Sequence, residues 1–75
     1  MTRDVREVFG NNLQQAMRRQ VHTCRSLAYA SGVSATSISN YVNARSMPAL
    51  DIGVRLAIVL HTTCEDLICG GEETL

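Results

Sequence analysis

Apolar residues recur at three- and four-residue spacing along most of this chain, and breaks in that rhythm divide it into five segments. Val5, Phe9, Leu13 and Ala16 form the first stripe, flanked by Val8 and Met17, with Asn11, Asn12, Gln14, Gln15, Arg18 and Arg19 between them. That spacing predicts a helix from about Asp4 to Arg19. Thr23 then reads as an N-cap for a second helix over Cys24 to Ser31, with Leu27 and Ala28 turned inward and Gly32 ending it. Ser34 reads as the next cap, and a third helix is expected over about 34–43. Pro48 fits the first turn of a fourth helix, where its missing N–H costs nothing. That helix is expected to run to about Leu60, burying Leu50, Val54, Leu56, Ala57 and Leu60, with Gly53 marking a close helix approach. His61 ends it. Thr62 or Thr63 caps a fifth helix, with Thr62 and Glu65 matching a capping box, and Cys64, Leu67 and Ile68 supply its apolar face. Gly70 and Gly71 close it, and 71–75 is expected to fray.

The stretch from Leu27 to Tyr41 is the most specific part of the pattern. It reads as two short helices joined by a tight turn at Gly32-Val33, with Ala28 four residues before the glycine and Ile38 six after it. This is helix-turn-helix spacing: glycine tolerates a left-handed turn, a small Ala28 lets the helices cross closely, and Ile38 pins the second helix to a core. On a helical wheel, Ile38, Tyr41 and Val42 fall to one side of the third helix, and Thr36, Ser39, Asn40 and Asn43 to the other. The second stripe is uncharged and made of short hydrogen-bonding side chains.

Length and composition narrow the picture. The 75 residues suit a single all-α domain, 1–75, with a small core, because so short a chain buries too little surface for more. Phe9, Tyr29 and Tyr41 are the only aromatics, so aliphatic side chains must fill the core. No apolar run reaches the roughly 20 residues of a membrane span, and the start at Met1-Thr2-Arg3-Asp4 shows no signal peptide. A cytoplasmic location is expected. Cys24, Cys64 and Cys69 are odd in number and lack metal-ligand spacing, which reads as reduced thiols and no metal. There is no Ser-His-Asp set, no phosphate loop and no paired carboxylates. Cys24 lies close to His22, but side chains so near in a helix-entry turn rarely form a working pair. The chain reads as a non-enzyme with no cofactor and no evident small-molecule ligand.

The net charge is zero, yet it is unevenly spread. Six arginines against two acids give +4 up to Pro48, and Arg55 against five acids gives −4 from Ala49 onward. Such a dipolar domain can offer a basic face to phosphate and hold its acids away. The absence of lysine is equally compatible with genome composition.

Taken together, Leu27-Ala28 through Gly32-Val33-Ser34, then Ile38, Asn43, Ser46-Met47-Pro48-Ala49-Leu50-Asp51 and Leu56-Ala57-Ile58-Val59-Leu60 resemble the Cro/repressor-type (Xre) helix-turn-helix family. Thr62-Thr63-Cys64-Glu65-Asp66-Leu67 resembles the start of that family's fifth helix. The resemblance spans roughly Phe9 to Gly70. It implies a compact five-helix lambda-repressor-like domain with the helix-turn-helix at helices two and three. It also implies a transcriptional regulator, Cro-like or a repressor, that binds double-stranded operator DNA as a homodimer. By position, Ala35, Thr36, Ser39 and Asn40 would face bases, and Thr23, Arg25, Ser34, Asn43 and Arg45 would meet phosphates. Two positions depart from the family. Cys24 stands where a phosphate-gripping glutamine is common, and His61 stands where glycine or another small terminator follows the fourth helix.

Each assignment has a plainer counterpart. Asn40 suits adenine N6 and N7, or is a solvated polar residue. Ala35 and Thr36 can touch thymine methyls, or Ala35 simply favours helix. Arg18 and Arg19 can neutralise phosphate or point away. Tyr29 is expected to cover the first helix rather than pack on the sugar-phosphate backbone. Ile58, Leu67 and Ile68 are candidates for a dimer interface, with Ile58 equally open to a core role. The rival to DNA binding is a protein-interaction module on the same fold, and a restriction-modification controller or antitoxin stays open within the DNA-binding class.

Overall fold

A computed structural model describes residues 4–69, and the expected tail at 71–75 lies outside them. Five helices follow in order: α1 (Val5–Arg19), α2 (Cys24–Ser31), α3 (Ala35–Val42), α4 (Leu50–Val59) and α5 (Cys64–Cys69). The number and placement match the rhythm of the sequence. The five largest fully buried side chains among the described residues come one from each helix: Leu13, Leu27, Ile38, Leu56 and Leu67. A core built this way ties all five segments to one centre. α1 packs on α3 and α5, α2 on α3 and α4, and α4 on α5.

Helix starts follow side-chain chemistry. Asp4 caps α1 by accepting from the Arg6 backbone N–H at 2.9 Å, and the Arg6 guanidinium lies 3.0 Å from its other oxygen. Those contacts hold the Asp4 carboxyl below the usual carboxylate range. Thr23 and Ser26 form a reciprocal capping box on α2. Ser34 caps α3 through the Ser37 N–H at 3.1 Å. For α5 the cap is Thr63, which accepts from the Asp66 N–H at 3.0 Å, and not the Thr62–Glu65 box.

Helix ends bring a feature the sequence does not announce. Three helices close in the same way, with a left-handed residue just past the end: Val21 at φ 57°, Ala44 at φ 62° and His61 at φ 57°. In each, the next N–H reaches back to the carbonyl three positions inside the helix end: His22 to Met17, Arg45 to Asn40, and Thr62 to Ala57. This is the Schellman arrangement, and it satisfies carbonyls that a helix end otherwise leaves open. Glycine is the usual occupant of the left-handed position, and here none of the three is glycine. Gly32, at φ 78°, serves that role only for α2.

Several inward assignments change. α4 starts at Leu50, with Ala49 extended at ψ 161° as its N-cap, so Pro48 precedes the helix instead of occupying its first turn. Leu50 is 78 % exposed and Val54 41 %, while Gly53, Leu56, Ala57 and Leu60 face the interior. α4 is apolar nearly all round, so its periodicity could not say which way it rolls. Val5 is likewise exposed, in the first turn of α1. Gly53 is buried but not tightly approached: a Cβ there would meet Cys64 Sγ at 3.5 Å. The close approach is at Gly10 instead, where a Cβ would fall 2.6 Å from the Tyr41 carbonyl oxygen and 2.8 Å from that of Val42. Gly10 lets α1 lie directly on the end of α3, and Phe9 and Tyr41 meet edge-on beside it, with ring centroids 6.4 Å apart.

Candidate nucleic-acid interface

The geometry of α3 is fixed from behind. Ile38 is fully buried, Val33 anchors the turn before it, and Tyr41 and Val42 pack into the core margin against α1. Gly32 turns the chain between α2 and α3, and its N–H closes onto the Ala28 carbonyl at 2.9 Å. The opposite side of α3 is thereby turned outward. Ala35, Thr36 and Asn43 are exposed, and Ser39 and Asn40 are half-buried.

These polar groups are not equally available. Asn43 donates its side-chain amide to the Ser39 carbonyl at 2.9 Å and to Ser39 Oγ at 3.3 Å. Its donor hydrogens are committed to its own helix, and its remaining oxygen would face a phosphate unfavourably. The expected phosphate contact would require the Asn43 amide to exchange its bonds with Ser39 for the ligand. Ser39 Oγ accepts from Asn43 and keeps its proton to donate. No side-chain hydrogen bond to another described residue engages Thr36 or Asn40. The pair stands four residues apart on one face, with its polar atoms open.

Two helix starts lie within the same unit. At the start of α2, Thr23 and Arg25 are exposed, and the first N–H groups point out of the helix without intrahelical partners. His22 Nδ1 lies 2.9 Å from Ser26 Oγ and braces the capping box from outside. At the start of α3, Ser34 and Ser37 share a hydroxyl–hydroxyl bond of 2.9 Å, which uses one of their two protons. Helix N-termini of this kind favour anions through their free N–H groups and partial positive charge. Arg45 is exposed just past α3, its backbone closing the α3 Schellman turn.

Some residues fall outside the reading made from the sequence. Tyr29 is 93 % exposed and covers nothing, because α2 presents that side to solvent. Leu67 is 2 % exposed and fills the centre of the fold, so it is withdrawn from the surface candidates. Ile58 is 66 % and Ile68 39 % exposed. Arg55, grouped by sequence with the acidic half, holds its guanidinium within 3.9 Å of where a Gly32 Cβ would sit. Nothing local signals this, since it depends on α2 packing against α4. Among the described residues no three His, Cys, Asp or Glu side chains gather to hold a metal, and no helix is long and apolar enough to cross a membrane.

The fold is similar to that of the clp gene regulator ClgR from Corynebacterium glutamicum. Two crystal structures of that protein each align with a TM-score of 0.83 at 24 % identity. One alignment covers 91 % of this chain and 72 % of that one, and the other covers 99 % of both. No protein-family model and no curated protein sequence matches the chain. The likeness carries the five-helix all-α architecture.

Proposed function

We propose that this protein is a transcriptional regulator of the Cro/repressor type, binding double-stranded operator DNA with α3 in the major groove. One observation carries the reading. α3 is held by a buried Ile38 so that its uncharged stripe faces outward, beside two capped helix starts suited to phosphate. A major groove admits a helix, and short donors and acceptors are what its base edges recognise. The shared fold with a protein described as a gene regulator agrees with this.

In this reading Asn40 and Thr36 read bases, with Ser39 and Ala35 beside them. Thr23, Arg25, Ser34 and Arg45 hold phosphates. Two copies bind a palindromic site with half-sites about one helical turn apart. Cys24 replaces a side-chain phosphate grip with backbone N–H groups at the start of α2.

The test is binding to random duplex DNA across a salt series, followed by selection of bound sequences from a random pool. Affinity that falls linearly with log salt, and recovery of a symmetric motif, support the proposal. Salt-independent behaviour with no enriched motif would favour a protein-binding role for the fold.

A further inference from the structure

Ser39 in α3 and Asn43 at its C-cap stand one turn apart, and the bonds between them run in a fixed direction. The Asn43 amide nitrogen lies 2.9 Å from the Ser39 carbonyl oxygen and 3.3 Å from Ser39 Oγ. A carbonyl can only accept, so the nitrogen edge of the amide, not its oxygen, is the one turned toward Ser39. That nitrogen has two hydrogens for the two oxygens. Ser39 Oγ is therefore an acceptor from Asn43, and its own proton needs another partner. A serine inside a helix can give that proton to the carbonyl four residues back. Ser31 does so, onto the Leu27 carbonyl at 2.7 Å. Ser39 makes no such bond to Ala35, and among the described residues nothing takes its proton.

We propose that Asn43 is a positioning residue that sets Ser39 as a hydrogen-bond donor, and that through this pair the protein rejects cytosine at the base Ser39 faces. The proposal rests on the reading of α3 as a major-groove helix. In that groove adenine offers N7, guanine N7 and O6, and thymine O4 as acceptors, while cytosine offers only its N4 amino donor. A Ser39 hydroxyl already engaged by Asn43 completes its bonding with any of the first three. Against cytosine, donor meets donor: the amino group and the Asn43 amide both claim Oγ, and the hydroxyl proton is left unpaired in the interface. Were Asn43 a phosphate ligand instead, its hydrogens would leave Ser39, which could then turn its lone pairs outward. The two roles differ in what they do to sequence preference. A phosphate contact carries no sequence information, whereas a positioning contact alters preference at one base pair alone.

The experiment is selection of bound sequences from a random duplex pool, run with the full chain as wild type, Ser39→Ala, Asn43→Ala and Asn43→Asp. Circular dichroism checks that each variant folds. Ser39→Ala identifies the base pair that Ser39 reads, by changing the preference there. At that pair the wild type is expected to disfavour cytosine by about tenfold. Asn43→Ala is expected to bring cytosine to within about twofold of the other bases, because Ser39 can then donate to the Ala35 carbonyl and offer its lone pairs to the base. Asn43→Asp accepts the Ser39 proton where asparagine donated to Oγ, and is expected to admit cytosine as well. It carries the test alone if Asn43→Ala fails to fold. Preferences elsewhere in the motif are expected to stay as in the wild type.

A wild-type motif whose cytosine preference is unchanged in the folded Asn43 variants, with every sequence weakened alike, overturns the inference and leaves the DNA reading standing. It would return Asn43 to phosphate. Ser39→Ala without effect at any position overturns the inference too. A wild type that enriches no motif overturns the DNA reading, and the inference falls with it.

Discussion

The side-chain amide of Asn12, in the middle of α1, donates to the backbone carbonyl of Leu67 in α5 at 2.9 Å. Asn12 is 8 % exposed, and among the described residues it is the only polar side chain in the buried set. The Leu67 carbonyl lies within α5, so this bond ties the first helix directly to the fifth. Asn12→Leu keeps the branching at Cγ, adds bulk, and removes the donor from a buried carbonyl. A loss of about 1–3 kcal/mol is expected, read from the shift of a urea unfolding midpoint. An unchanged midpoint would show that water or backbone movement replaces the bond.

The two buried helical glycines respond in opposite directions. Gly10→Ala drives a methyl group into backbone oxygens of α3 that cannot rotate away. It is expected to destabilise by about 1–3 kcal/mol through overpacking, and to weaken DNA binding further by displacing α3. Gly53→Ala meets only ordinary contacts. It is expected to be neutral or to stabilise by up to about 1 kcal/mol through helix propensity. Thermal unfolding of the pair checks both.

Val21 is a β-branched residue held left-handed at φ 57° and 88 % exposed. Its side chain gains nothing from burial, while its backbone pays for the turn. Val21→Gly is expected to stabilise by about 0.5–1 kcal/mol, the strain released less the entropy lost by glycine. Gly32→Ala, the converse change at φ 78°, is expected to cost about 1–2 kcal/mol. Equal stabilities for Val21→Gly and wild type would contradict the strain.

Asn40→Ala is expected to lower affinity for a selected site by about 1–3 kcal/mol and to relax preference at one base pair. Arg45→Ala is expected to weaken specific and random DNA alike and to reduce the salt slope by about one. Selection from a random pool checks the first, and titration at several salt concentrations the second. A loss with Arg45→Ala confined to one sequence would make it a reader of bases.

Much of the fold was legible because its signals are local. Thr23, Ser34 and Gly32 mark helix boundaries through chemistry within three residues, and Ile38 fixes the roll of α3 because its opposite face is polar. α4 resisted for the reverse reason. With Leu50, Val54 and Ile58 as apolar as Leu56 and Leu60, only contacts with α2 and α5 decide which face is inside. Gly10 and Asn12 also escaped notice, since their importance lies in partners more than thirty and fifty residues away. The left-handed corners at Val21 and Ala44 carry no glycine to announce them. At the site, the positions were readable but their availability was not. The bond that engages Asn43 with Ser39 depends on rotamers, which spacing does not specify.

The outward stripe of α3 has one more consequence. Between Ala35 and Asn43 the only ionisable side chain is Tyr41, and it packs inward against Phe9. In the proposed complex, the groups that attract DNA are therefore physically separate from those that choose among sequences. Ionic strength and pH then act on every site by a common factor, leaving the rank order of operators unaltered while occupancy rises and falls. In that complex, a cell's changing salt would tune how much of the protein is bound without redirecting where it goes.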